Sequence, residues 1–90
     1  MKEKKPAHEI IVPQIEYCVE EMHKWGEQGN TEFIRMWHAC LRTLTSILES
    51  MIIPKESIPL ILAKLQALKE GARTRTIYST LDDAIRSISE

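Results

Sequence analysis

The stretch Thr31–Met51, TEFIRMWHACLRTLTSILESM, constrains this chain more than any other. Its apolar residues Ile34, Trp37, Leu41, Leu44, Leu48 and Met51 recur at steps of three and four, the signature of one face of an α-helix. Phe33, Met36, Cys40 and Ile47 form a second row beside the first, about 100° around the helix. Together the rows make an apolar face wider than one neighbouring helix covers, so the stretch is expected to be a central helix that touches two or three others. Arg35, His38, Arg42, Thr45 and Glu49 form a third row, which reads as the solvated back of that helix. The rival reading of this row is a contact for an anion or an acidic partner through Arg35, His38 and Arg42.

The flanking sequence supplies neighbours of the same kind. His8, Ile11, Ile15, Cys18, Met22 and Trp25 keep the helical spacing straight through Pro13. Proline has no amide hydrogen and disfavours a helical residue before it, so the first helix is expected to start at Pro13. The alternative is a kinked helix from Pro6. Residues 1–12 then form a flexible or partly helical arm, with residues 1–5 mobile, and residues 13–90 one helical domain. Gly26-Glu27-Gln28-Gly29-Asn30 is a short loop, with glycine at the helix end and Asn30 or Thr31 capping the next helix. A loop this short makes antiparallel neighbours. Pro54 ends the central helix, and Ser57 is expected to cap a third helix over 58–70, with Ile58, Ile61, Leu65 and Leu68 on one face and Gly71 closing it. A fourth helix carries Ile77, Leu81, Ala84, Ile85 and Ile88. Ser79-x-x-Asp82 is its expected capping box, and Asp82 and Arg86 pair one turn apart.

No alternation of strand type interrupts this pattern. The expected fold is all-α: a small antiparallel four-helix bundle built on a central helix of about 20 residues. A first helix starting at Pro13 leaves the C-terminal end of the central helix overhanging by about 10 Å. Leu44, Ile47, Leu48, Met51, Ile52 and Ile53 lie there and form the expected interaction surface, which a homodimer would complete.

With 12 basic and 13 acidic residues the net charge is −1. That balance argues against a general nucleic-acid or membrane-surface binder. No run approaches a membrane span, and Ile10–Val12 is too short an apolar segment for a signal peptide. A cytoplasmic protein with reduced thiols is expected. Cys18 and Cys40 fall at about the same level of an antiparallel hairpin and read as two buried small hydrophobes, with a redox-sensitive bridge as the alternative. No histidines converge with them, so no metal and no cofactor is expected.

No nucleophile stands with a base, and no glycine loop is built to cradle phosphate. Glu16, Glu20, Glu21, Asp82 and Asp83 lack the paired Glu-x-x-Glu spacing of helical metal-dependent nucleotide hydrolases, which remain the third functional class. Lys24 is expected to pair with Glu20. The first class is a non-enzymatic regulator or adaptor acting through protein–protein contacts, with itself and another protein as partners.

Residues 67–87 carry the second class. Ala67, Gly71 four residues later and Ile77 six beyond it resemble the core of a helix-turn-helix. Thr76-Ile77-Tyr78 is similar to the start of many recognition helices. The resemblance implies a DNA-binding regulator in which Arg73, Arg75, Thr76 and Tyr78 meet nucleic acid. Glu70 and Thr80 depart from that pattern at usually apolar positions, and Asp82 and Asp83 put negative charge on the helix that would enter the groove.

Overall fold

The computed structural model describes residues 6–90, so the mobility expected of residues 1–5 falls outside it. Four helices follow one another: α1 (Ala7–Glu27), α2 (Thr31–Ser50), α3 (Ile58–Glu70) and α4 (Arg75–Ser89). A single 3₁₀ turn over Lys55–Ser57 leads into α3, and the described residues contain no strand. The chain is all-α.

Helix α1 starts at Ala7, six residues before the position expected from Pro13. Proline inside a helix removes one backbone hydrogen bond and crowds the preceding turn. Pro13 faces solvent, whereas His8 and Val12 on the opposite side are buried. Burying Val12 and the turn that carries it offsets the proline penalty, because a buried branched aliphatic contributes about 1.5–3 kcal/mol. The alternative of a helix running from Pro6 through Pro13 is therefore the one adopted, and residues 7–12 are helical and continuous with the rest of α1.

The turn into α2 has the expected left-handed glycine at the helix end, with α1 running one residue past Gly26. Gly26 stays within α1, and the left-handed residue is Gly29, at φ 70°. Asn30 caps α2 as expected, its side-chain oxygen accepting a hydrogen bond from the Phe33 amide at 3.1 Å. Two expected caps are not made. Ser57 precedes α3 but its side chain bonds no helix amide. Ser79 lies inside α4, which Thr74 caps instead by accepting from the Ile77 amide at 3.3 Å. Thr74 is extended, the backbone state an N-cap needs, and Ser79 is already helical.

All four helices feed one core. Its fully buried large side chains are Ile15 of α1, Leu41 and Leu48 of α2, Leu65 of α3, and Ile77 and Leu81 of α4. Helix α1 packs on α2 and α3, and α4 packs on α2 and α3, so α3 and α4 share one side of the α1–α2 hairpin. The thinnest dimension is 19 Å against 43 Å for the longest. That thickness holds about two layers of helices, each near 10 Å across.

Among the described residues, three ion pairs tie the elements at their rims. Lys64 of α3 reaches Glu16 of α1 at 3.3 Å. Lys69 of α3 reaches Asp82 of α4 at 3.2 Å, and Arg86 meets the same carboxylate at 3.1 Å, as expected. Arg73, in the turn between α3 and α4, pairs with Glu27 at the end of α1. Lys24 makes no ion pair with Glu20; its ammonium lies 5.0 Å from the Trp25 ring centroid.

Candidate functional site

The packing of the other helices decides which of the three rows on α2 is available. The first row, with Leu41 and Leu48, points into the core. The polar row faces solvent only in part. Thr45 is buried, and His38 is half-buried with Nε2 3.3 Å from Thr80 Oγ1 of α4. Arg35 and Arg42 remain exposed at the edges of this contact. The row is thus split: His38 and Thr45 form a seam with α4, against the expected solvated back, while Arg35, Arg42 and Glu49 keep the exposure expected of it. Packing against α4 lowers the His38 pKa, first through burial and then through the Arg42 charge.

The second row is the one left uncovered. Phe33, Met36, Cys40 and Ile47, expected to pack on the third and fourth helices or on a second subunit, all lie exposed on the single chain. The reason is the placement of α3 and α4 on the other side of the hairpin. Cys40 is accordingly not a buried thiol, while Cys18 is buried and its pKa is pushed up to about 11, chiefly by desolvation. Both cysteines are free.

Alongside this row, α1 exposes Ile10 and Tyr17, two turns apart. Tyr17 meets Trp37 edge to face, ring centroids 5.4 Å apart, and Trp25 packs on Phe33 at 4.5 Å. These pairs lock the register of the hairpin. Between the two helices runs a groove of about 530 Å³ lined by Gln14, Tyr17, Cys18, Trp37, Ala39, Cys40, Thr43 and Leu44. None of those side chains carries a formal charge at neutral pH. At the closed end Glu21 accepts a hydrogen bond from Trp25 Nε1 at 2.9 Å, and the same carboxylate raises the Tyr17 pKa.

The expected surface at the C-terminal end of α2 is divided. Leu48 is fully buried, and Leu44, Met51 and Ile53 are half-buried against the core. Only Ile47 and Ile52 stay exposed. The early start of α1 lengthens that helix by six residues, which removes the overhang expected from a start at Pro13. Sequence reasoning missed Ile10, Tyr17 and Met36 as surface groups. Ile10 and Tyr17 stand off the main apolar stripe of α1, which was the available signal.

The residues of the helix-turn-helix resemblance are distributed differently. Arg75, Thr76 and Tyr78 are exposed at the start of α4, with the Lys69 ammonium 5.2 Å from the Tyr78 ring centroid. Arg73 is engaged by Glu27, and its amide donates to His23 Nε2 at 3.2 Å. Burial, followed by the Arg73 charge, lowers the His23 pKa. Ala67 is exposed, and Gly71 has φ −87°. Arg35 and His38 share a small cleft with Thr74 and Thr76, so the polar row and the start of α4 come together.

Among the described residues, no group of three or more His, Cys, Asp or Glu side chains is placed to hold a metal ion. No described helix is long and apolar enough to cross a membrane. No protein-family model, curated protein or solved structure matches the chain.

Proposed function

We propose that the four helices form an antiparallel bundle that serves as a non-enzymatic interaction module, and that it binds through the outer face of the α1–α2 hairpin. The observation that carries this reading is the exposure of Ile10, Tyr17, Met36, Cys40 and Ile47 on the two helices that wall an uncharged groove. Scattered single apolar residues need no explanation, but five on the same helix pair leave in water a surface that a partner would bury. The core needs none of these side chains, which supports a role other than folding.

The test is a quantitative pull-down of the tagged chain from the cells that make it. Met36→Glu and Ile47→Glu together place two charges on the strip without touching the core. Loss of the bound proteins, with helix content unchanged by circular dichroism, is expected. Retention of every bound protein by the double variant would overturn the reading.

A second reading, DNA binding through residues 67–87, is supported by the exposure of Arg75, Thr76 and Tyr78 at one helix start. It ranks below the first because Glu27 already engages Arg73 and α4 carries Asp82 and Asp83. A salt-dependent shift of duplex DNA, lost on Arg73→Ala with Arg75→Ala, would promote it. Absence of any shift at low salt would remove it.

A further inference from the structure

We infer that the occupant of the hairpin face is a second copy of this chain, with two α1–α2 hairpins stacked face to face about a twofold axis; this rests on the interaction reading above and names its partner. Three features point to self-association. The first is area. Ile10, Tyr17, Phe33, Met36 and Ile47 are each 38–53% exposed. At roughly 200 Å² for a fully exposed large side chain they leave about 450 Å² of mainly apolar surface. The groove walls add to this, against the roughly 800 Å² that each partner gives to a standard interface. The strip thus supplies the apolar centre of such an interface, and its polar margins supply the rim.

The second feature is charge. In a twofold interface each patch meets its own image, so a charge near the axis faces a like charge. The groove is lined by no charged side chain; Glu21 stands toward the closed end of the hairpin, held by Trp25, and Arg42 stands on the outer side of Ile47. A site for an acidic or basic partner would carry the complementary charge at its centre.

The third feature is shape. Met36, Cys40 and Ile47 stand along one edge of α2 at steps of four and seven, a ridge parallel to the groove between α2 and α1. Ridge and groove lie side by side on one surface, so a twofold rotation sets the ridge of each copy into the groove of the other. The packed unit is then four helices across the interface, with α3 and α4 outermost on both sides.

The experiment uses the intact chain. Sedimentation equilibrium across the micromolar range is expected to give twice the monomer mass at the upper concentrations. Alkylation of Cys40, read by mass spectrometry, should slow as concentration rises, because the thiol lies on the covered ridge. Met36→Glu with Ile47→Glu is expected to weaken the dimer by roughly 30-fold or more. Leu60→Glu, on the exposed side of α3, should leave it intact.

A chain that stays monomeric at every concentration overturns the inference. So does a dimer that ignores the Met36 and Ile47 changes or that is broken by Leu60→Glu. If the monomer result is joined by a pull-down that the strip variants abolish, the interaction reading stands and the second copy falls. If the pull-down is also indifferent to those variants, both fall.

Discussion

Replacing Pro13 by alanine separates the two starts of α1 by the sign of its effect. In the structure Pro13 is the seventh residue of a helix that begins at Ala7, past the first turn in which amides are unpaired anyway. Proline in a helix interior costs about 3 kcal/mol relative to alanine, from the missing hydrogen bond and the clash with the preceding turn. Proline also restricts the unfolded chain, a contribution of about 0.4–1 kcal/mol that the alanine variant forfeits. Pro13 is exposed, so no packing is lost. The net expectation is a gain of about 2 kcal/mol, which for a domain of this size raises the thermal midpoint by roughly 10 °C. Thermal and urea unfolding followed by circular dichroism at 222 nm would read it, and hydrogen exchange should show firmer amides across residues 9–13. If the helix instead began at Pro13, proline would sit at its most favoured helical position. Alanine would then lower stability by about 0.5–1 kcal/mol. An unchanged or lowered midpoint therefore refutes the start at Ala7.

Further expectations follow from the same geometry. Thr74→Ala should cost about 1 kcal/mol because it removes the cap on α4, whereas Ser79→Ala and Ser57→Ala, which cap nothing, should each change stability by less than about 0.5 kcal/mol in chemical denaturation. Leu81→Ala, at a site with no exposure, should cost about 2–5 kcal/mol and leave a largely unfolded chain if the parent is marginal. At mildly alkaline pH a limiting amount of iodoacetamide should modify Cys40 well before Cys18, since burial holds the Cys18 thiol at about 11; equal rates would show that the hairpin opens. His23 and His38 both have folded pKa values below the ordinary 6.5, each mainly through burial. The unfolded chain then binds protons first as pH falls, so stability is full above 6.5 and declines from there down to the depressed folded values. His23→Asn should flatten part of that decline in urea midpoints measured across the range, and an unaltered slope would count against the Arg73–His23 contact.

Much of the helical architecture is legible in residue spacing. The span of α2, its Asn30 cap, its end before Pro54, the inward face of α3 at Ile61 and Leu65, and the Asp82–Arg86 pair all follow from local rules. Such features depend on residues within about one turn of each other, and the physics that sets them is contained in the segment. Pro13 shows where local rules stop. Its own preference is to begin a helix, and the burial of Val12 and His8 by other parts of the chain overrides it.

The rows on α2 mark the same division. Their periodicity was determined by the sequence alone, because side-chain direction on a helix depends only on the number of residues between positions. Which row would be buried was a tertiary outcome. The wider apolar face suggested that Phe33, Met36, Cys40 and Ile47 would be covered, and the polar row with Arg35, His38 and Arg42 that it would be wet. Helix α4 instead settles on the side of the polar row, where His38 meets Thr80 and Thr45 is sealed from water. A seam tolerates small polar groups when hydroxyls and an imidazole satisfy one another, so hydrophobicity by row does not identify it. The candidate site is therefore composed of residues the sequence displays openly, in a place that only the packing of the third and fourth helices assigns to the surface.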